Sequence, residues 1–156
     1  MTGKLKTEIG QGIPFPSLEA EAALNIVRTA DAYLRLMAKA LKPAGLTPTQ
    51  YNALRILRGA GAAGHTCTAV SERMLTRDPD VTRLLDRLEK RGLVERERHP
   101  QDRRAIVVHI TEAGRQLLEQ LDAPMAEVPR QQLGALGAER LKDLITLLEA
   151  SREGLY

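Results

Sequence analysis

Tryptophan is missing from this chain of 156 residues, and three tyrosines and one phenylalanine are its only aromatic side chains. Proteins that hold single-stranded DNA or RNA stack bases on aromatic rings, so that mode of binding is disfavoured here. The single cysteine, Cys67, cannot close an internal disulfide, which suits a reducing compartment. A thiol at the start of a short helix can be activated as a redox sensor; an inert, half-buried cysteine is the simpler reading. The remaining soft or imidazole ligands are His65, His99 and His109. His65-x-Cys67 is not a spacing that zinc sites favour, and the other two histidines fall in or beside a hairpin, so neither a metal nor another cofactor is expected. No run of about 18 apolar residues exists to span a bilayer. The opening MTGKLKTEIGQGIPFPS has no apolar stretch of the signal-peptide kind, so a cytoplasmic location without membrane contact is expected. No Ser/His/Asp or Cys/His set gathers on one loop, and GAGAAG lacks the lysine of a phosphate-binding loop. Nothing in these absences points to an enzyme.

What is present is a chain long enough for one domain with its own core. The 22 residues from Arg83 to Arg104 hold eight Lys/Arg against five Asp/Glu, an excess equal to the whole chain's net charge of +3. A local basic patch on a neutral body fits a polyanionic partner met by one element, although a solvated mixed-charge face gives the same count.

The periodicity divides the chain. Residues 1–16 mix Gly, Pro and polar groups without a repeat and read as a mobile or loosely packed arm. Ser17 caps a long helix carrying Leu24, Val27, Leu34 and Leu41, stopped by Pro43 and Gly45. Asp31 interrupts its apolar stripe and can pair with Arg28 or Arg35. Thr47-Pro48-Thr49-Gln50 is a capping box with proline at the first helical position. Its helix buries Tyr51, Leu54 and Leu57 before Gly59, and a Gly/Ala-rich loop leads to Thr66. A short helix over 68–75 follows. The next helix runs from Pro79 to Arg91, capped by Asp78 and ended by Gly92, with Val81, Leu84, Leu85 and Leu88 facing inward. The period then shortens. Leu93–Arg98 and Ala105–Ile110 read as two strands around the charged tip HPQDRR. Thr111 caps a helix that Pro124 and Pro129 should bend or break. A last helix from Ala138 carries Leu141, Leu144, Ile145 and Leu148.

Two short helices at a tight turn followed by a hairpin make a winged helix-turn-helix. It suits a helix in the major groove and a loop in the neighbouring minor groove. The fold expected is mainly α with a small β-hairpin wing. Residues 46–115 form the DNA-binding region, and 17–45 with 116–156 form a helical dimerisation region, all within one compact domain.

The residues LTPTQYNALRIL and VTRLLDRLEKRGLVERERHPQDRRAIVVHITEAGRQLL give the chain a resemblance to the MarR (multiple antibiotic resistance regulator) family of transcription regulators. The DRR of the wing, LEKRGLV and T-E-A-G form an ordered set between Leu46 and Leu118, and LGALGAERLKDLITLLEA is similar to the family's last helix. The resemblance implies a homodimer on a pseudo-palindromic operator of double-stranded DNA, with first and last helices entwined between subunits. Leu24, Val27, Leu34, Leu141, Leu144, Ile145 and Leu148 would then face the partner, since a small winged-helix core alone could not cover such stripes. Packing of the two helices within one chain is the alternative.

On the reading helix, Thr82, Arg83 and Arg87 face outward, and Arg77 just ahead of it is counted with them. Arg83 is suited to a bidentate bond with guanine, Thr82 to a phosphate or thymine methyl, and Arg87 to a phosphate or to Asp86. Asp80 in the first turn either accepts from cytosine or restrains Arg77 or Arg83 until DNA arrives, exchanging affinity for selectivity. The family pattern places Asp102 and Arg104 as an Asp-x-Arg pair with the arginine in the minor groove, and Arg98 and Arg103 on phosphates. The function expected is a DNA-binding regulator, a repressor released by a small aromatic or phenolic effector bound between dimer helices and reading region. The competing function is a helical interaction module that keeps the fold without specific DNA binding.

Overall fold

A computed structural model of the protein describes residues 3–76, 80–98 and 105–155. Residues 1–16 were expected to lack regular structure, but Leu5–Glu8 form a single turn, α1. Leu5 is buried and Gly3 N donates to Glu21 Oε1 at 3.2 Å. One apolar anchor among polar residues leaves no periodic signal in a sequence.

The long helix α2 spans Leu18–Leu41; Ser17 Oγ accepts from Ala20 N, and Glu19 and Glu21 occupy the first turn. Asp31 pairs with Arg35 of the same helix at 2.9 Å. A 3₁₀ turn and Gly45, in the left-handed conformation, end the run. Helix α3, Pro48–Ala60, starts at a complete capping box: Thr47 Oγ1 accepts from Gln50 N, and Gln50 Oε1 from Thr47 N. It continues through Gly59, and a 3₁₀ turn over Gly61–Ala63 replaces part of the expected loop.

The rest of that loop is a two-residue strand, β1 (His65–Thr66), antiparallel to the later strand β3 (Ile106–Ile110). Helix α4 is Cys67–Arg73, capped by Thr66, and α5 is Val81–Lys90. Strand β2, Val94–Arg98, pairs with β3 from Val94↔Ile110 to Arg98↔Ile106. The wing is therefore rooted in a three-stranded sheet of order β1-β3-β2. Two residues are too few to show alternation, so the sequence pattern carries no signal for β1.

Helix α6 runs from Glu112 to Leu133 with Pro124 and Pro129 inside it, so of the expected bend or break the break does not occur, and α7 is Gly137–Ala150. The buried side of α6, with Leu118, Leu121, Met125 and Val128, packs along α2 and α3. That burial holds the helix across the two missing amide donors. Helix α3 sits at the centre, touching α2, α4, α5, α6 and β3, with Leu54 and Leu57 fully buried.

Candidate nucleic-acid interface

The apolar face of α5 is Val81, Leu84, Leu85 and Leu88, all buried against the core. That burial turns Thr82, Arg83, Arg87 and Lys90 to solvent. The helix begins two residues later than the sequence suggested, and its cap is Asp80, not Asp78. Asp80 has non-helical backbone angles and its Oδ1 accepts from Arg83 N at 3.0 Å. The signal was ambiguous because Asp78-Pro79 and Asp80-Val81 both read as a cap followed by a first helical residue. The second oxygen, Oδ2, ion-pairs with Arg83 Nε at 3.0 Å, so one carboxylate both caps the helix and holds its first outward arginine. Arg77, Asp78 and Pro79 lie outside the described residues, as do the wing residues Asp102, Arg103 and Arg104.

At its far end α5 closes with a Schellman arrangement. Gly92, at φ 69°, donates to Glu89 O at 2.8 Å and Leu93 N to Leu88 O at 3.0 Å. Thr111 then clasps this junction: its Oγ1 donates to Gly92 O at 2.7 Å and accepts from Gly114 N, while its own amide reaches Leu93 O at 3.1 Å. A Cβ on Gly114 would collide with that same Leu93 carbonyl. The LEKRGLV and T-E-A-G segments are thus two halves of one joint.

Two arginines of the basic cluster serve the protein itself. Arg91 donates to the carbonyls of Gly45 and Ala44 at 2.7 and 2.8 Å, tying the reading helix to the foot of α2. Arg96 on β2 pairs with Asp86 at 2.7 Å and Glu89 at 2.6 Å. Burial alone would lower the Arg96 guanidinium; its bonds to Asp86 and the charge of Glu89 outweigh this and raise it. Asp86 is therefore engaged by Arg96, across elements, whereas Arg87 had been considered for it. Neither arginine was singled out from the sequence. For Arg96 a signal existed: strand alternation places it on the same face as buried Val94. Arg98 stands exposed at the end of β2.

Above the reading region, α2, α3 and α6 enclose a crevice of about 310 Å³ lined by Tyr33, Tyr51, Arg55, Arg58, Leu75 and Asp122 among others. Arg58 and Asp122 form a two-pronged bond at 3.0 and 2.9 Å, which raises the Arg58 guanidinium further. Arg55 lies over the Tyr51 ring, 5.9 Å from its centre, and burial pushes the Tyr51 phenol up. Asn52 Oδ1 accepts from Leu75 N at 2.9 Å, linking this crevice to the segment that leads into α5.

The helices expected at a subunit interface are only partly covered in the single chain, with Leu141, Leu144 and Leu148 half-buried. Leu24, Val27, Leu34 and Ile145 are exposed, Val27 at 65%, and no residue of α7 is buried. Leu144 and Leu148 face α2 and α6 across an apolar cavity of about 430 Å³. Cys67 is a half-buried free thiol at the first turn of α4. No helix among the described residues is long and apolar enough to cross a membrane.

A capped helix with its apolar side sunk in a core and its basic side bare, next to a rooted two-stranded wing, defines a winged-helix protein of the DNA-binding class. A family model described as MarR family matches residues 44–105. The chain is 39% identical to a MarR transcription factor of Planctomyces limnophilus, with 88% of this chain and 99% of that one covered and a TM-score of 0.67. It is 27% identical to a mutant of Escherichia coli MarR crystallised with operator DNA, at 86% and 98% coverage and TM-score 0.77. With CouR of Rhodococcus jostii RHA1, bound to p-coumaroyl-CoA, it shares 26% identity over 91% and 99% of the chains at TM-score 0.75. The chain belongs to the MarR family of DNA-binding, non-enzymatic transcription regulators.

Proposed function

We propose that this protein is a cytoplasmic homodimer that binds a pseudo-palindromic operator and represses transcription until a small aromatic or phenolic compound releases it. The observation that carries the reading is the outward row of Thr82, Arg83 and Arg87 on a helix whose other face is wholly committed to the core. In this geometry Arg83, near the amino end, reads guanine, and Thr82 and Arg87 meet a thymine methyl or phosphates. Arg98 and Arg103 on the wing meet phosphates, Arg104 enters the minor groove, and Asp102 orients it. Arg77, just ahead of the helix in sequence, is counted with these DNA contacts. Leu24, Val27, Leu34, Leu141, Leu144, Ile145 and Leu148 meet a second subunit, for which the exposed stripe of α2 and the unburied α7 are the support.

The crevice between α2, α3 and α6 is the place for the effector. Its two tyrosines offer flat apolar walls, and Arg55 offers a cation for a carboxylate or phenolate. The CouR likeness agrees in kind, since that relative holds an aromatic acyl thioester. The decisive experiment is a mobility-shift assay on the DNA upstream of its own gene at two salt concentrations. A specific shift that weakens with salt is expected. No specific shift near physiological salt would leave a winged-helix interaction module. For the effector, small aromatic acids and phenols are screened for a rise in melting temperature, then for release of the duplex. A compound that raises the melting temperature and leaves the shift intact would sink the release mechanism.

A further inference from the structure

We propose that Arg96 is a positioning residue that locks the wing to the reading helix, so that both grooves of the duplex are met by one rigid body. Arg96 lies mid-strand on β2, and only 21% of its side chain is exposed. Its Nη2 pairs with Asp86 at 2.7 Å and reaches the Thr82 carbonyl at 3.4 Å, and its Nη1 pairs with Glu89 at 2.6 Å. All three acceptors sit on α5, spanning two of its turns. A planar guanidinium holding two carboxylates and a carbonyl fixes direction as well as distance, which a lysine ammonium does not. The strand is also joined to the protein through its pairing with β3 and the packing of Val94.

The same contact has an electrostatic effect. Asp86 and Glu89 lie on the flank of a helix meant to approach a polyanion, and Arg96 offsets one of their two charges from behind. Arg83, Arg87 and Lys90 are then left to set the sign of the outward face. The inference rests on the DNA-binding reading for its purpose but on this structure alone for the contact.

Two measurements on the full-length protein separate the possibilities. In Arg96→Met, affinity for a duplex selected from a random pool should fall about tenfold with the salt dependence unchanged, because no phosphate contact is lost. Arg96→Lys should recover part of that loss. Hydrogen exchange of the free protein should quicken at the amides of β2 and β3 while those of α3 keep their protection. The double variant Asp86→Asn with Glu89→Gln removes the lock from the helix side and should quicken the same amides, which serves if Arg96→Met does not fold. A salt slope reduced by about one counterion would make Arg96 a direct phosphate contact and overturn the proposal. So would unchanged exchange in the wing, or equal quickening throughout α3. A native protein that shifts no duplex would sink the DNA-binding reading while the exchange measurement still judges the lock.

Discussion

Asp80 holds one neighbour by two nitrogens, accepting the Arg83 amide on one oxygen and its Nε on the other, both at 3.0 Å. Asp80→Asn keeps a good capping side chain but loses the ion pair, so melting should drop by less than about 1 kcal/mol. Released Arg83 should bind a wider set of operators with equal or greater affinity, as read by selection from a random duplex pool. Lowered stability with unchanged operator preference would make Asp80 only a cap. His65 gives a second test at this scale. Burial, and then the charge of Arg73, hold its imidazole below the ordinary histidine value. The neutral form is thus favoured in the folded state, and its contribution to stability is complete above about pH 6.5 and lost as pH falls below that. The urea midpoint should therefore drop between pH 7.5 and 5.5 by more in the native protein than in His65→Gln; equal drops would clear His65 of a role.

Among the elements, what could be read beforehand was what is settled within a turn or two of chain. Ser17, Thr47 and Thr111 each accept from the amide three residues on. The partners that sequence could not supply lie far along it: Arg91 is tied to carbonyls 46 and 47 residues away, and Arg58 to an aspartate 64 residues away. The start of α5 differs from the sequence expectation because two adjacent Asp-first pairs compete locally, and it is the Asp80 side chain that accepts from the amide three residues on. The prolines of α6 do not break it, because their poor propensity is set against a stripe of buried residues. The joint between α5 and α6 makes its own prediction. Gly114→Ala must displace the Leu93 carbonyl or the Ile110 side chain, so unfolding should become easier by about 1–3 kcal/mol. A melting temperature equal to the native one would show that the joint has slack.

At the scale of the whole molecule, the core is complete around α3 while Leu24, Val27 and Leu34 of α2 and Ile145 of α7 stay exposed. Val27→Glu should convert the dimer to a monomer, observed by sedimentation, and abolish operator binding together with it. Two reading helices must meet half-sites about 34–36 Å apart, and a single one lacks the second set of contacts. A variant that remains dimeric would move the interface off this stripe. Helix α6 joins the two ends. Its 22 residues make a rod about 33 Å long, footed at the Thr111 clasp and ending beside α7. The crevice touches it at Asp122, Met125, Ala126 and Pro129, a stretch that contains both of its prolines. Gln120 and Met125 there receive no amide hydrogen from the residue four ahead, so the rod is most compliant where a small molecule would press. The foot lies about 18 Å from that fulcrum, so a tilt of about 10° swings it by about 3 Å, close to the rise of one base pair. For a dimer fitted to two half-sites at a fixed spacing, as proposed above, so small a lean would be the difference between engaged and out of step.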